Sequence, residues 1–494
     1  MSSLSRLVWL GLSVCSALGL SVRAEPFLTN SVHQQLGTAV VGPAAGTAPA
    51  PSAQSSDSQG FVQVRDGKFV LAGKPFVIKG TNYAGSWRTG SAFVSGDQKS
   101  EQLSIWSFYH DWNAPNINRD LQLLRAQLKA TVVRIPLPAR QEFEANIKYH
   151  GYAPWYEPNG TITPEYADKL IELADLAAKN NIRLELCLLW NIGNEIEQDP
   201  DGFKPGAVKD LFYANHVRSV ARLLQNHPAV IAYSIGNEVL VRWKINGTHS
   251  SWFEPRAVGF MLRRISDLRA AAPHQLISTE EIVGVPGTNW SVPSADLARI
   301  PDADASNGGY PIRLAESVDY LGAHFYPEIL TPQDVAGAFE DKLADAVERL
   351  RSYLAAARTD GKPVVLNEFA LKMKPETMRP QDYGPARDRL FERVLAEGEA
   401  DGLQGMLAWY ALPRMVLRPG QYEVRDSRLN PYSSIEVDLQ GTGAGRRVIM
   451  YKPYFELFVW NATGDDPVPT AAAKALAAAW AKVPIPASPA RTGG

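Results

Sequence analysis

The sequence predicts a (β/α)8 barrel, and three observations carry the prediction. Eight short apolar runs of strand length recur along the chain. Amphipathic helical patterns separate them. No Gly-rich phosphate turn opens any of those helices, which argues against the alternative of an open doubly wound sheet. The chain has 494 residues, and α/β barrels with long loops can exceed about 400 residues as one unit.

The elements follow in order. Two apolar alternations, Phe61–Val64 and Lys68–Leu71, flank Asp66-Gly67, a hairpin signal expected to close the bottom of the barrel. Gly73-Lys74-Pro75 turns the chain into the first barrel strand, Phe76–Gly80. The other strands are Thr131–Ile135, Leu184–Leu189, Val230–Ile235, Gln275–Thr279, Tyr320–Phe325, Val364–Leu366 and Met406–Trp409. Ile117, Leu121, Leu124 and Leu128 share one helical face. Thr163-Pro164 caps and opens a helix over Ala167–Lys179. Helices follow at Val208–Leu224, Pro255–Ala271, Val335–Ala356, Pro385–Ala396 and Ala471–Ala481, with the weakest helical pattern between Glu280 and Asp319. The segments Ala84–Pro115, Pro136–Ile162, Glu280–Ser317 and Ala411–Asp465 are long. All leave the C-terminal ends of strands, the face where barrel chemistry sits.

Composition removes several classes of function. Apolar residues make up 45% and charged residues 21%, ordinary for a globular protein with a large core. A formal charge of −2 offers no basic excess for a nucleic-acid backbone. Two cysteines, Cys15 and Cys187, give neither a disulfide framework nor a cysteine metal site. The eight histidines show no metal-ligand spacing. Arg6 followed by the apolar run Leu7–Val22 and the small-residue pattern ending at Ala24 predicts an export signal over residues 1–24. The product would be secreted or periplasmic, with no membrane span in the mature chain. Residues 25–59 read as a flexible linker rich in Ala, Gly, Pro and Ser, 60–485 as the barrel domain and 486–494 as a tail. Oligomeric state has no signal. Cys187, in an apolar strand, reads as a buried inert thiol.

Ionisable and aromatic residues gather at strand ends. The fourth strand ends in Gly236-Asn237-Glu238 and the seventh in Asn367-Glu368. The second ends in Arg134, the sixth in His324-Phe325-Tyr326-Pro327 and the eighth in Trp409; Trp190 ends the third. Two carboxyl groups across a cleft suit glycoside hydrolysis. One holds a proton for the leaving oxygen, the other is ionised and faces the anomeric carbon, and no metal or cofactor is required. On this reading Arg134 steadies Glu368 and lowers its pKa. Asn237 bonds the sugar hydroxyl next to the anomeric carbon, and His324 and Tyr326 orient the carboxyl groups. Trp409 lies under the sugar at the cleavage site. A second Gly-Asn-Glu string, Gly193-Asn194-Glu195, is a decoy. Only Glu238 has the preceding helix, His227-Pro228 turn and strand in order, and Glu195 reads as a solvated loop charge. Trp87, Trp106, Trp112, Trp155, Trp243, Trp252 and Trp290 lie in or beside rim segments, about half of them expected to line sugar subsites.

The strings Val133–Pro136, His227–Glu238, His324–Pro327, Lys362–Phe369 and Ala408-Trp409 together resemble glycoside hydrolase family 5, cellulases and β-mannanases included. The N-terminal strings Asp66–Phe69, Gly73–Phe76 and Gly80–Tyr83 resemble its mannanase branch. The resemblance implies a retaining β-glycoside hydrolase acting on β-mannan or β-glucan, endo rather than exo. It assigns Glu238 as acid/base and Glu368 as nucleophile. Arg134, Asn237, His324, Tyr326 and Trp409 also fall on family positions. Many members carry a histidine near the end of strand three, where this chain has Leu189-Trp190-Asn191. The alternatives are an exo-glycosidase or transglycosylase of the same fold, and a non-catalytic carbohydrate-binding envelope protein.

Overall fold

In a parallel barrel, alternate side chains of each strand point into the barrel and out toward the helices, so each strand needs two apolar faces. The strands of this chain meet that need along most of their length. The computed structural model describes residues 60–83, 112–138, 155–190, 192–239, 253–283, 314–326, 339–359, 361–370, 380–409, 415–417, 434–438, 446–450, 458–460, 467–469 and 471–481. The chain divides into Met1–Ser56 and Asp57–Gly494, and every described residue belongs to the second unit. The expected signal segment, most of the linker and the tail at 486–494 lie outside the described residues.

Eight parallel strands close into a barrel: β4 (Ile78–Asn82), β5 (Val132–Pro138), β6 (Arg183–Trp190), β7 (Val230–Ser234), β8 (Leu276–Val283), β9 (Tyr320–Phe325), β10 (Val364–Phe369) and β11 (Gly405–Ala408). Each pairs with its neighbours in sequence, and β11 closes on β4 through Gly405↔Ile78 to Ala408↔Thr81. This is a (β/α)8 barrel, and the closure excludes the open sheet. A side chain at Gly80 would place its Cβ 1.8 Å from the Val132 carbonyl oxygen, so β4 and β5 approach this closely only with glycine there.

The helices pack outside: α1 (Ala114–Leu128), α2 (Pro164–Lys179), α3 (Ile192–Gln198), α4 (Val208–Leu224), α5 (Phe253–Ala271), α6 (Leu314–Ser317), α7 (Phe339–Thr359), α8 (Pro380–Ala400) and α9 (Ala471–Ala481). Local chemistry sets their starts. The Asn113 side chain accepts from the Asn116 amide, and that of Thr163 accepts from the Tyr166 amide ahead of Pro164. The weak helical region between Glu280 and Asp319 is described only as the four-residue α6. A further turn of helix, α3, follows β6, where a loop was expected.

The hairpin is present as β1 (Val62–Arg65) and β2 (Lys68–Leu71), with Asp66 and Gly67 both at positive φ, the turn geometry that Asp-Gly favours. A short third strand, β3 (Lys74–Pro75), extends it. Val62, Phe69 and Leu71 form one apolar cluster with Ile78, Val132, Leu276, Tyr320, Val365 and Leu407 at the lower ends of the barrel strands. The hairpin therefore plugs the bottom, with the Phe69 ring edge-on to Tyr320 at 5.3 Å. The segment Ala411–Asp465 holds strands that the sequence patterns did not mark. Met415–Leu417 (β12), Ser434–Asp438 (β13) and Arg446–Met450 (β14) make an antiparallel sheet in the order β12-β14-β13, and Phe458–Trp460 (β15) pairs with Pro467–Pro469 (β16). Among the described residues no helix is long and apolar enough to cross a membrane.

Candidate active site

Alternation decides which strand residues face inward. On β5, Val133 and Ile135 join the outer apolar layer, so Arg134 points into the barrel. On β6, Leu184 and Leu186 face outward and Glu185 inward, and the same period turns Glu280 of β8 and His324 of β9 inward. All four are buried. Their layer lies above the apolar plug, on the side where the strands end.

Simple alternation would fail at β10. Val365 is in the inner cluster and Leu366 in the outer one, so Asn367 should face in and Glu368 out. Instead the pairing to β9 slips by one residue, from Leu366↔Ala323 to Glu368↔His324. This bulge re-aims the strand and brings two consecutive side chains, Asn367 and Glu368, into the interior. Glu238 reaches the same rim by another irregularity. β7 ends at Ser234, and Glu238 itself adopts φ 50°, an uncommon backbone region for a side chain of its size. Its amide donates to the Glu280 carbonyl at 2.9 Å, which fixes the turn against β8.

Arg134 is the hub. Its Nη1 donates to Glu368 Oε1 at 2.7 Å and to Asn82 Oδ1 at 2.5 Å; its Nη2 donates to Asn237 Oδ1 at 2.8 Å. Its Nε donates to Glu280 Oε1 at 2.7 Å, and Nη2 also bonds Glu280 Oε2. Burial opposes the guanidinium charge, but Glu280 and Glu368 outweigh it and hold its pKa well above the ordinary value. Asn82 is braced in turn, its amide donating to the Asn367 carbonyl at 2.8 Å.

The two expected carboxyl groups converge. His324 Nδ1 is hydrogen-bonded to Glu238 Oε1 at 2.8 Å and lies 3.4 Å from Glu368 Oε2. One carboxylate oxygen from each glutamate and one imidazole nitrogen all lie within 4.8 Å of one another. Among the described residues these are also the acid and imidazole groups close enough together to ligate a metal ion. Tyr326 donates its hydroxyl to Glu368 Oε2 at 2.5 Å. The two glutamates differ in exposure: the side chain of Glu238 is 26% exposed and that of Glu368 is 4%. Burial pushes the Glu368 carboxyl up. His324 and Arg134 pull it down, Glu238 adds to the rise, and the net direction is upward. This corrects the expectation that Arg134 would leave it lowered, because the cost of burial exceeds what Arg134 returns. Burial also disfavours charge on His324, but Glu368 and Glu238 more than compensate and its pKa is raised.

Trp409 directly follows β11, half-buried, with its ring stacked on Trp190 at 5.7 Å and nearly parallel. Trp190 is 7% exposed and also has the Arg134 guanidinium 5.2 Å from its ring centre. It thus sits between hub and platform, behind Trp409. Glu195 is buried on α3, accepting from the Tyr213 hydroxyl at 2.5 Å, with Lys209 at 3.9 Å. It is a tied structural carboxylate, which corrects the solvated loop charge expected. Trp155 packs in the core against Tyr166, and Trp112 donates to Glu172 at 2.7 Å on the helix layer. Trp87, Trp106, Trp243, Trp252 and Trp290 lie outside the described residues. Cys187 is buried, and burial raises its thiol pKa.

Three residues of the site were not singled out from the sequence: Asn82, Glu185 and Glu280. Glu185 accepts from Asn367 Nδ2, and its Oε1 lies 3.9 Å from Arg134 Nε. A signal existed for it, since it is the single charged residue of the expected strand Leu184–Leu189.

Comparison with known proteins bears on this site. Residues 94–386 match the cellulase family, glycosyl hydrolase family 5, over more than half of the chain. No curated protein matches the chain. Among solved structures it is similar to an endo-1,4-beta-mannanase from Rhizomucor miehei, at 14% identity over 71% of this chain and 90% of that one, TM-score 0.45. An endo-beta-1,4-mannanase from Thermotoga petrophila is 16% identical over 82% and 77%, TM-score 0.45. A beta-glucanase from Saccharophagus degradans is 18% identical over 73% and 88%, TM-score 0.43.

Proposed function

Because the chain belongs to the cellulase family, glycosyl hydrolase family 5, we propose that it is a secreted or periplasmic retaining enzyme that cleaves internal linkages of a β-mannan or β-glucan. The observation that carries the retaining part is the closeness of Glu238 and Glu368, whose nearest oxygens lie within 4.8 Å. Retaining enzymes hold their carboxyl groups about 5–5.5 Å apart, and inverting ones about 6.5–9.5 Å, to admit a water.

The roles follow from the environments. Glu368, aimed by Arg134 and Tyr326, attacks the anomeric carbon. Glu238, the more exposed of the two, gives its proton to the departing glycosidic oxygen. The glycosyl–Glu368 ester then yields to a water whose proton passes to Glu238, and the sugar leaves with its configuration retained. His324 contacts both glutamates, so it can follow the proton between the two steps. Asn237, its amide oxygen held by Arg134, is oriented to meet the hydroxyl next to the anomeric carbon. Trp409 supports the sugar ring, backed by Trp190.

The lengths of the segments leaving the C-terminal rim support an open cleft and internal cleavage, and the apolar run before Ala24 supports export. A panel of β-mannans and β-glucans, read by new reducing ends and by the anomer first released, tests the whole reading. Short oligosaccharides of mixed length and a β anomer are expected. An α anomer would refute retention, and release of a single terminal product would refute internal cleavage. Sequencing the exported protein, expected to begin after Ala24, tests the localisation.

A further inference from the structure

One guanidinium in the barrel faces three carboxyl groups. Arg134 lies within ion-pair distance of Glu280, Glu368 and Glu185, and all three side chains are at most 4% exposed. Buried like charges this close cannot all be ionised without a large cost. Glu280 takes both remaining arms of Arg134, Nε and Nη2. Glu185 receives the distant edge of Arg134, at 3.9 Å, the Tyr320 hydroxyl, and an N–H from Asn367, which also approaches Glu280 Oε1 at 3.2 Å. A fork held from behind at Nε and Nη2 has one way to present Nη1 to Glu368 and the rest of Nη2 to Asn237.

We infer that Glu280 is a positioning residue for the nucleophile, acting through Arg134, and that Glu185 beneath it stays protonated. The inference rests on the reading of Glu368 as nucleophile. The electrostatics agree with the geometry. Burial raises both carboxyl groups, but Arg134 outweighs it at Glu280 and leaves that one lowered. Glu185, raised by burial and by Glu280, is pushed up to about 8.

The test uses the full chain. Wild type is first treated with a fluorinated, activated β-glycoside, and the labelled residue is identified by peptide mass. Absence of label on Glu368 defeats the nucleophile reading itself. With Glu368 so identified, kcat and KM are measured for unlabelled Glu280→Gln and Glu280→Asp on an activated aryl β-glycoside across pH, with folding followed by circular dichroism. Glu280→Gln puts an amide N–H against the guanidinium and removes an anion near Glu368. A fall in kcat of at least about tenfold is expected, with KM within about threefold and the acid limb of kcat/KM displaced to lower pH. Glu280→Asp keeps the charge but shortens its reach, so kcat falls while the acid limb stays. Wild-type kcat, or an unmoved acid limb, in Glu280→Gln overturns the inference. If that variant does not fold, wild-type kcat in Glu280→Asp overturns it. For Glu185, the infrared spectrum of wild type at neutral pH is expected to carry a protonated-carboxyl band that Glu185→Gln removes; the same spectrum in both would overturn that assignment.

Discussion

Glu238 and Glu368 share one imidazole: His324 Nδ1 lies 2.8 Å from an oxygen of the first and 3.4 Å from an oxygen of the second. Two acids, one just past the end of β7 and one on β10, are thereby coupled through a third group on β9, between them in the barrel. Proton transfer at one changes the field at the other, as the two halves of a double displacement require.

Removing the attacking carboxylate while keeping the fold isolates its role. Glu368→Ala is expected to lose essentially all turnover, and added azide is expected to restore cleavage with an α-configured product. Product ratios by nuclear magnetic resonance check this. Wild-type-like activity without azide would remove Glu368 from the chemistry.

The direction of the Glu368 shift sets a pH dependence. Attack needs the ionised form, and burial holds this carboxyl above its ordinary range. Activity is therefore present above the raised value and falls as pH drops through it. The acid limb of kcat/KM should lie above that of an exposed glutamate. Tyr326→Phe removes a donor to the carboxylate and should carry the limb higher still, a shift read from the pH profile alone.

Glu185 makes a stability prediction of opposite sense to that of an ordinary salt-bridged acid. Its folded-state value, about 8, lies above that of the unfolded chain, so the folded state binds the extra proton. Its contribution is complete below the ordinary carboxylate value and declines as pH rises toward about 8, by at most about 1.4 kcal/mol per pH unit. Chemical denaturation of Glu185→Gln across that window should show a flatter dependence than wild type; an equal slope would contradict the buried proton.

Glu195 separates structure from chemistry. Glu195→Ala leaves the Tyr213 hydroxyl without its 2.5 Å acceptor inside the core, a loss of about 1–3 kcal/mol. A lower melting temperature with activity within about tenfold of wild type is the expected result. A loss of turnover as deep as that of Glu238→Ala would reverse the choice between the two Gly-Asn-Glu strings.

Gly236 holds the turn that carries Glu238. A Cβ there would lie 2.7 Å from Val239 Cγ2 and 2.8 Å from Ile192 Cγ2, both on packed branched side chains. Gly236→Ala is expected to cost about 1–3 kcal/mol by overpacking and to lower kcat more than it raises KM, since Glu238 moves with the turn. Thermal unfolding and steady-state kinetics on one preparation test both parts.

The barrel was legible because its signals are local. Strand β9 and helices α4 and α9 have the bounds that apolar periodicity predicts, and the Asp66-Gly67 hairpin follows from turn chemistry alone. The rim residues were legible because strand ends in a barrel share a face, whatever their distance in sequence. Glu280 was hidden by one residue, the expected strand having stopped at Thr279 while β8 runs on to Val283. Glu185 was hidden by its setting among leucines, where a charge has no local partner. Its partners come from β5 and β10, which only the closed sheet brings to it. The sheet in Ala411–Asp465 was missed because its strands are three to five residues long, too short for alternation to stand out.

The slip in pairing at Asn367 has a practical consequence for anyone who edits this chain. The bulge makes room for Asn367 and Glu368 side by side in the interior, so the number of residues on β10 matters as well as their identity. Excising the codon for Asn367 would restore a regular ladder and leave Glu368 facing in beside His324, but it would remove the amide that bonds Glu185 and Glu280. A library that preserves spacing here keeps both inward side chains, whereas one that permits deletions trades the pair for a single one.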